Sequence, residues 1–422
     1  MINRPVKPGD HVELSLTDLS YLGGAVGRTD DNLAVFASGG LPGERAVIEI
    51  DEERRRFARG HVVEVREASP ERVAPPCPYF GACGGCQWQH LAYPAQIRWK
   101  TELVRRQLQR VGHLVDPPMR PMIGAAHPWN YRNQGRFSVD ASGHLCFTRF
   151  HSRQLLPIDA CLIMQPAVVQ AMSRLQGVAP GVHQVVVRYG SRTGQFLIAP
   201  RLPEAPRDLP SGQEFYEEIL LGRRYRVSAP SFFQVNTRVD TRELPSSIAA
   251  PWIAERSGSY SQADLLALLV LDRLRLTGRE FVVDAYCGVG TFALLAAERA
   301  GRVVGIEEAR CAVLDGEHNA VGMENVQFLV GRTEDVLGKI EWRPDAVVLD
   351  PSRLGCAPGV LRILGEMRPR TIVYVSCDPA TLARDLAVLC ASGFTLDEVQ
   401  PIDMFPQTHH IETVSVLQAD ES

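Results

Sequence analysis

The sequence lacks an apolar run long enough to cross a membrane. Its longest uninterrupted apolar stretch, Leu265–Leu271, has seven residues, whereas a transmembrane helix needs about 20. The first ten residues are polar and contain proline, so they do not resemble the apolar core of a secretory signal. The hydrophobic fraction of 45% and the charged fraction of 22% are typical of a globular protein. We therefore expect a cytoplasmic protein without a membrane partner.

Internal repeats and low-complexity tracts are also absent, which excludes a solenoid or a disordered chain. A chain of 422 residues is too long for one ordinary core. Residues 1–66 contain short strands separated by glycine turns, which is typical of a small β-barrel. Residues 67–225 mix helical and strand patterns and indicate an α+β domain. Residues 226–422 alternate strand and helix, which predicts a mostly parallel α/β sheet with helices on both faces.

Charge is distributed unevenly along the chain, although the net charge is only -4. Residues 1–160 contain 20 Lys and Arg against 17 Asp and Glu, whereas the remainder contains 25 against 32. A basic N-terminal part suggests a polyanionic partner such as nucleic acid. An ordinary solvated surface rich in arginine explains the same count. Charge alone does not decide between the two interpretations.

Three of the ten cysteines lie close together, at Cys77, Cys83 and Cys86. In a reducing cytoplasm this clustering favours metal ligation over disulfides. Three thiolates on a glycine-containing loop need a fourth ligand, for which Cys161 is the candidate. The spacing is compatible with an iron–sulfur cluster and with structural zinc. The remaining cysteines outside Cys377 are interpreted as structural, namely Cys146, Cys287, Cys311, Cys356 and Cys390.

A glycine loop, Asp284–Thr291, follows a predicted strand and opens a predicted helix. Glycines there let the backbone approach a ligand. The spacing is not G-x-G-x-x-G, so a dinucleotide is not favoured. Glu307 ends the next strand, where an acidic residue can accept hydrogen bonds from ribose hydroxyls. The pattern suits S-adenosylmethionine, which has an adenosine but no phosphate, although a purely structural turn is also compatible with it.

Two further strand ends carry reactive side chains. Asp350 follows one strand and could contact a planar base, or it could cap a helix. Cys377 follows the next strand, and cysteine is a strong nucleophile near neutral pH. Glu412 lies 35 residues further along and could remove a proton. Cysteine, carboxylates and a cofactor loop together predict covalent catalysis. His409 and His410 are adjacent on a predicted strand and should point to opposite faces, so a shared metal is not expected.

These segments together resemble the RNA uracil-5-methyltransferase family, and in particular its iron–sulfur branch that acts on 23S ribosomal RNA. Ser20–Gly27 and Leu41–Glu44 are similar to a TRAM domain, an RNA-binding β-barrel. Tyr131–Asn133 is similar to the central domain of that branch. Ser231–Asn236 is similar to a cofactor-binding motif. The resemblance covers nearly the whole chain and implies three domains: a TRAM barrel, a central iron–sulfur domain and a Rossmann-like methyltransferase domain.

The resemblance also implies roles for individual residues. Cys377 is the nucleophile, Glu412 is the general base, and Asp350 contacts both the cofactor and the target base. The other residues implied in binding S-adenosylmethionine are Gln234, Tyr286, Thr291, Glu307 and, more loosely, Asn325. The ligands implied for a four-iron four-sulfur cluster are Cys77, Cys83, Cys86 and Cys161. The expected partner is RNA, with 23S ribosomal RNA favoured over transfer RNA. Neither DNA nor a second copy of the chain is expected as a partner.

Other interpretations of the sequence stay open. Radical methylthiotransferases also combine a TRAM domain with an iron–sulfur cluster, but they need a gap of three residues between the first two cysteines, and here the gap is five. A non-catalytic RNA-binding protein would not need Cys377. Pro245–Asp264 is interpreted as an insertion, either an inert loop or a segment that alters RNA contacts. Trp88 is a candidate for stacking on an unpaired RNA base.

Overall fold

The computed structural model describes residues 6–241, 244–248 and 258–420. The chain divides into two compact units. The first, called the barrel unit, contains the described residues up to Leu103 together with Cys146–Ile158 and Phe405–His409. The second, called the sheet unit, contains the rest. The division into three domains at residues 66 and 225 differs from this partition and stays a prediction.

The barrel unit begins with a closed five-stranded barrel, as the glycine-punctuated pattern predicts. Its strands are β1 (His11–Leu19), β2 (Ala25–Arg28), β3 (Ala34–Ser38), β4 (Glu44–Glu53) and β5 (Phe57–Glu67). The order around the barrel is β1-β2-β3-β5-β4, with β3 and β5 parallel and the other neighbours antiparallel. Gly60 is needed because a Cβ there would lie 2.2 Å from the carbonyl oxygen of Glu49.

The middle of the chain mixes helices and strands, as predicted. Its elements are α1 (Tyr93–Arg110), β6 (Gln134–Val139), β7 (Leu145–Thr148), β8 (Leu155–Pro157), α2 (Pro166–Arg174), β9 (Gln184–Tyr189), β10 (Phe196–Ala199), β11 (Phe215–Leu220) and β12 (Arg223–Ser228). Cys146–Thr148 pairs antiparallel with β8 as a hairpin of the barrel unit. In the sheet unit, β9 pairs antiparallel with both β6 and β10, and β11 pairs with β12.

The C-terminal part forms the α/β sheet that the alternating pattern predicts. Its elements are β13 (Asp240–Thr241), β14 (Ser259–Tyr260), α3 (Gln262–Leu274), β15 (Phe281–Ala285), α4 (Thr291–Ala297), β16 (Arg302–Glu307), α5 (Arg310–Asn319), β17 (Val326–Val330), α6 (Thr333–Val336), a 3₁₀ turn (Leu337–Lys339), β18 (Ala346–Leu349), α7 (Pro358–Met367), β19 (Thr371–Ser376), α8 (Pro379–Ala391), β20 (Phe394–Ile402) and β21 (Glu412–Ala419). Among the helices of the described ranges, none is both long and apolar enough to cross a membrane.

Seven of these strands form one sheet in the order β17-β16-β15-β18-β19-β21-β20. The first five run parallel, whereas β21 runs antiparallel to β19 and to β20. The central strands β18 and β19 are fully buried along their length, as expected for parallel strands covered on both faces. The reversal at β21 matters for the site because it brings the start of that strand to the edge where the parallel strands end.

The end of the predicted insertion is part of the fold. Ser261 and Asp264 form a capping box at the start of α3. Asp264 is fully buried and also forms an ion pair with Arg192. The interpretation of Pro245–Asp264 as a surface loop is therefore wrong for its last residues, because a buried carboxylate there joins two elements. Residues 249–257 of this segment lie outside the described residues.

Candidate active site

The carboxyl ends of the parallel strands gather the predicted catalytic residues at one edge of the sheet. Asp350 directly follows β18, and Cys377 directly follows β19. Ser376 pairs with Thr413 across β19 and β21, so Glu412 stands at the same edge as Cys377. This is the edge at which open α/β sheets bind their ligands.

Cys377 occupies the turn between β19 and α8. The turn is fixed because the carboxylate of Asp378 accepts hydrogen bonds from the amides of Ala380 and Thr381, at 3.0 and 2.9 Å. The Cys377 side chain is partly buried, and burial raises the pKa of its thiol to about 12, helped by the nearby charges of Glu412 and Asp350. At neutral pH the Cys377 side chain is therefore a thiol.

The two carboxyls beside Cys377 also resist ionisation. Glu412 is only 5% exposed, and burial followed by the charge of Asp350 holds its pKa well above the ordinary value. Burial raises the pKa of Asp350 to about 7. Three acidic groups share this edge, so each proton that leaves makes the next ionisation harder. The arrangement can therefore exchange protons with a bound substrate near neutral pH.

Arg353 is a residue of this site to which the sequence analysis gave no role. Its positive charge lowers the pKa of both Cys377 and Glu412, opposing the larger effect of burial. The signal was present in the sequence, because a cation three residues after Asp350 follows the same strand end.

The adjacent histidines His409 and His410 have different neighbours. Arg353 Nη2 lies 3.3 Å from both ring nitrogens of His410. His409 Nδ1 lies 3.0 Å from Gln87 Oε1 within the barrel unit.

The neighbouring strand ends provide a second group of carboxylates. Asp284 is fully buried at the end of β15, and its Oδ2 accepts a hydrogen bond from the amide of Ala293 at 2.7 Å. Its Oδ1 is buried without a hydrogen-bond partner in the described part of the chain. Such an orphaned acceptor is rare in a native protein and is compatible with a ligand that donates to it. Burial, followed by the charge of Asp350, raises the pKa of Asp284 well above its usual range.

Glu307 ends β16 and lies beside the glycine loop. Its Oε2 accepts from the amide of Gly288 at 3.0 Å, and its Oε1 accepts from the amide of Ala309 at 2.8 Å. A carboxylate has about four acceptor positions, so each oxygen keeps capacity for a further donor. Tyr286 precedes Gly288 in the left-handed region, with φ 67°. The structure therefore brings Tyr286 and Glu307 to the ligand-binding edge.

Gln234 lies in a loop that is tied to the sheet. Ser231 Oγ donates to Asp315 of α5 at 2.8 Å, and Asn236 Nδ2 donates to the carbonyl of Met404 at 3.1 Å. Gln234 is 8% exposed between these anchors. Thr291 is the first residue of α4, and its carbonyl accepts from the hydroxyl of Tyr225 at 3.2 Å.

Asn325 is a predicted cofactor residue that lies away from this edge. It precedes β17, and its carbonyl accepts from the amide of Val303 near the start of β16. Because β16 and β17 are parallel, Asn325 lies at the edge opposite Glu307. Its Nδ2 donates to the carbonyls of Ala297 and Ala300, at 2.9 and 3.0 Å. The side chain therefore joins the end of α4 to β17.

The cysteine loop lies in the barrel unit. Burial raises the pKa of Cys83, an amide hydrogen bond from Gly85 to its Sγ (3.4 Å) opposes this, and the charge of Cys77 adds to the rise. Two thiols with an N–H···S bond suit a soft metal site. Across the described ranges, no group of three or more His, Cys, Asp or Glu side chains is arranged to hold a metal ion. The iron–sulfur cluster is therefore not shown.

Trp88 does not provide the stacking platform expected of it. Its side chain is fully buried in the barrel unit, and its Nε1 donates to the carbonyl of Gly23 at 2.9 Å. A ring without accessible faces cannot stack on an RNA base, so the prediction was wrong. The sequence could not show this, because burial of an aromatic residue depends on tertiary packing.

Comparison with known proteins agrees with the site. Residues 5–63 match the TRAM domain family, and residues 223–420 match the family described as tRNA (Uracil-5-)-methyltransferase. An uncharacterized RNA methyltransferase of Halalkalibacterium halodurans is 34% identical, over 98% of this chain and 98% of its own. A protein of the same description from Gloeobacter violaceus is 34% identical, over 99% and 100% of the two chains.

A solved structure shares the fold over nearly the whole chain. It is Pyrococcus abyssi tRNA (uracil-54, C5)-methyltransferase in complex with S-adenosyl-L-homocysteine, with a TM-score of 0.69 at 21% identity. The match covers 96% of this chain and 100% of the other. Together with the full-length relatives and the two matched families, the edge that carries Asp350, Cys377 and Glu412 identifies the chain as a member of the RNA uracil-5-methyltransferase family.

Proposed function

We propose that the protein transfers a methyl group from S-adenosylmethionine to C5 of a specific uridine in 23S ribosomal RNA, through a covalent bond between Cys377 and C6. The observation that carries the proposal is the grouping of Cys377, Glu412 and Asp350 at one sheet edge, where the charge of each carboxyl raises the pKa of the thiol. A nucleophile beside two proton acceptors is what this chemistry needs.

Cys377 solves the first problem of the reaction, which is the weak nucleophilicity of C5 of uracil. Attack of its thiolate on C6 saturates the 5,6 bond and places negative charge on O4, which makes C5 electron-rich. The Cys377 thiol, whose pKa burial raises to about 12, must first lose its proton. Arg353 favours the thiolate, because its charge lowers that pKa.

Glu412 completes the reaction by removing the proton from C5, after which the Cys377 thiolate leaves C6 and the double bond reforms. A carboxyl whose pKa is raised by burial is a stronger base than an ordinary glutamate once it is ionised. Asp350 would accept from the N3–H group of the ring and hold its orientation. The uracil must leave its stack to reach these groups.

S-adenosylmethionine supplies the methyl group when it is bound. The residues proposed to hold it are Tyr286, Glu307 and Gln234, with Thr291 at the start of α4. Asp284 and Glu307 provide acceptors at the strand ends, because each Glu307 oxygen can accept one more hydrogen bond and the Oδ1 of Asp284, unpartnered among the described residues, fits a donor on the cofactor. The position of Asn325 at the opposite edge gives it a structural role instead.

The choice of 23S ribosomal RNA is supported by the TRAM barrel together with the cysteine loop, which the sequence shares with that branch of the family. Transfer RNA is the second candidate. It is favoured by the description of the family that matches residues 223–420 and by the fold shared with the Pyrococcus abyssi enzyme. The cytoplasmic location and the monomeric state stay predictions.

We further propose that the cysteine loop holds a four-iron four-sulfur cluster. Cys77 and Cys83 lie close enough for one charge to raise the pKa of the other, and the amide of Gly85 donates to Cys83 Sγ. Cys86 belongs to the same loop, and the proposal of Cys161 as the fourth ligand comes from the sequence and from the resemblance. Anaerobically purified protein should contain about four iron and four sulfide per chain. Bound zinc without iron would contradict the cluster.

One experiment tests the methyl transfer. Anaerobically purified protein is incubated with methyl-labelled S-adenosylmethionine and unmodified 23S ribosomal RNA or transfer RNA, in parallel with Cys377→Ala and Glu412→Gln. Label at uracil C5 in ribosomal RNA, lost in the alanine variant and trapped as a protein–RNA adduct in the glutamine variant, is the expected result. Label in transfer RNA alone would establish the second candidate. Label in neither RNA would contradict both.

A further inference from the structure

The hairpin between β7 and β8 carries three basic side chains within five residues. Arg149, His151 and Arg153 are all exposed. The turn that contains them, Arg149–Arg153, is called here the basic hairpin. It belongs to the barrel unit and lies beside the cysteine loop. A concentration of positive charge on a short turn is a candidate interaction surface.

The charge of the basic hairpin is not neutralised. In the part of the chain that the structure describes, no ion pair is found for Arg149 or Arg153. Two arginines of the β-barrel differ from them, since Arg45 pairs with Glu13 and Glu67, and Arg66 pairs with Glu64. An exposed arginine between two carboxylates is poorly available to an anion, whereas the guanidinium groups of Arg149 and Arg153 are available to bind an anion.

The shape of the hairpin suits an extended ligand that lies along the protein surface. The basic hairpin, with Thr148 and Gly84, lines an open depression of about 550 Å³. The cysteine loop fixes its backbone, because the amide of Gly84 donates to Thr148 O at 3.1 Å and the amide of Phe150 donates to Ala82 O at 2.9 Å. The rings of Phe150 and His151 are in contact in a tilted arrangement, with 3.9 Å between their centroids. The backbone that carries the two arginines is therefore already ordered before a ligand binds, which lowers the entropy lost on binding.

We propose that the basic hairpin binds the phosphate backbone of the RNA substrate. Arginine is suited to this because its planar guanidinium donates two parallel hydrogen bonds to a phosphate. Arg149 and Arg153 would each neutralise one phosphate. The contact would add affinity without reading sequence, since base recognition depends on groove or base-edge contacts. The inference rests on the proposed function, because it names a second surface for the same RNA.

The test is the salt dependence of RNA binding, measured without S-adenosylmethionine so that no chemistry intervenes. For Arg149→Gln with Arg153→Gln, the slope of log affinity against log salt should become shallower by about 1.4, which is roughly 0.7 per lost phosphate contact on single-stranded RNA. Methyl transfer at saturating RNA should keep its kcat, whereas KM for RNA should rise. Arg153→Gln alone should shift the slope by about half as much.

Two matched pairs of variants give the controls. Arg45→Gln with Arg66→Gln removes the same charge from the ion-paired surface of the barrel and should leave the slope within about 0.3 of wild type. Arg149→Lys with Arg153→Lys keeps the charge and should retain the wild-type slope. An unchanged slope in the glutamine pair, or an equal shift in the barrel pair, would overturn the inference.

The outcome separates the two proposals. If the wild-type protein methylates RNA and the glutamine pair binds RNA with the wild-type salt slope, only the basic hairpin proposal fails. If the wild-type protein methylates neither RNA, the proposed function fails, whatever the slope. Because the substituted side chains are exposed, the variants should unfold at the wild-type temperature, and a thermal melt of each variant checks this.

Discussion

Two buried glutamates, one in each unit, have opposite electrostatic environments. Glu44 in the barrel unit is 1% exposed, and Glu412 in the sheet unit is 5% exposed. Burial opposes ionisation of Glu44, yet hydrogen bonds from Arg72 and from the amides of Leu41 and Ser69 lower its pKa. Burial raises the pKa of Glu412, and the nearby charge of Asp350 adds to the rise. Two buried carboxyls therefore differ, because the surroundings of Glu44 favour its ionised form and those of Glu412 favour its neutral form.

The difference lies in the donors that surround each carboxyl. Three neighbours donate to Glu44, and one of them, Arg72, carries a full positive charge. Such a carboxylate is part of the structure, because its bonds hold the barrel to the chain that follows it. Burial and the charge of Asp350 make the ionisation of Glu412 cost free energy. Groups that exchange protons with a substrate commonly have such an environment. The comparison predicts that substitutions at the two positions have opposite effects.

The largest expected effect is loss of the nucleophile, which tests whether the sheet edge is catalytic at all. Cys377→Ala should lower methyl transfer by more than about a thousandfold, because no other group can form the bond to C6. Radiolabel incorporated into RNA measures this. Cys390→Ala is the matched control, since Cys390 is another partly buried cysteine, on α8. A control variant as inactive as Cys377→Ala would mean that the loss reflects folding.

Removal of the base should have the next largest effect. Glu412→Gln should lower kcat by about 10²- to 10⁴-fold, the usual contribution of general base catalysis. The covalent protein–RNA adduct should accumulate, because addition of the thiolate precedes loss of the C5 proton. A denaturing gel with labelled RNA detects the adduct. In Glu44→Gln, kcat should stay near the wild-type value and no adduct should accumulate.

Stability against pH gives the sharpest contrast between the two glutamates. The pKa of Glu44 is lowered in the folded state, so its contribution is present above the unfolded pKa of about 4.5 and is lost as pH falls through the folded value. Glu44→Gln should therefore lower stability at pH 7, by about 2 kcal/mol for the charge-assisted hydrogen bonds that it loses. Thermal melts from pH 4 to 8 measure the change.

Glu412 should show the reverse sign. Its folded pKa is raised, so the wild-type protein is favoured below the unfolded pKa and loses stability as pH rises from about 4.5 towards the folded value. Glu412→Gln, which cannot ionise, should therefore melt above wild type at pH 7, by about 2–4 °C for each kcal/mol. The difference should shrink towards pH 4.5. Equal shifts of the same sign in both variants would end the comparison.

The sequence predicted the strands well because their signals are local. The alternation of strand and helix expected for residues 226–422 is present, and the apolar runs at residues 281–283, 303–306 and 346–349 lie in the strands β15, β16 and β18. Asp350 and Cys377 lie at a common edge because each follows a strand of the same parallel sheet, and parallel strands end at the same edge. Glu412 shares that edge for a reason that the pattern did not contain, since only the antiparallel direction of β21 brings it there.

The failures of the sequence analysis all concern tertiary surroundings. The sequence predicts that Trp88 stacks on an RNA base, whereas its side chain is fully buried and its Nε1 donates to the carbonyl of Gly23. Asn325 follows the order of the family motifs but lies at the wrong end of its strand for a ligand. Arg353 is visible in the sequence as a cation three residues after Asp350, but its effect depends on its distance from Cys377 and Glu412, which the sequence does not give. Burial, partners and distance are not properties of a short segment.

The cations beside the two glutamates give the smallest and most specific test. Arg72 donates to Glu44, and Arg353 lowers the pKa of Glu412 and of Cys377. Arg72→Gln should lower the melting temperature and leave the pH profile of kcat unchanged, because Glu44 takes no part in the reaction. Arg353→Gln should leave the melting temperature unchanged and shift the pH profile of kcat. Without that charge the pKa values of thiol and carboxyl rise further, so the alkaline rise of kcat should move to higher pH.

The expected displacement for Arg353→Gln is about one pH unit or less, since Arg353 is exposed and solvent screens its charge. Single-turnover methyl transfer between pH 6 and 9.5 measures the profile, and Arg353→Lys, which restores the charge, should return it towards wild type. A lysine variant that behaves like the glutamine variant would show that Arg353 acts through the shape of its guanidinium and its contact with His410. In that case the two glutamates would differ in the hydrogen-bond donors around them, and the charge of Arg353 would not contribute to the difference.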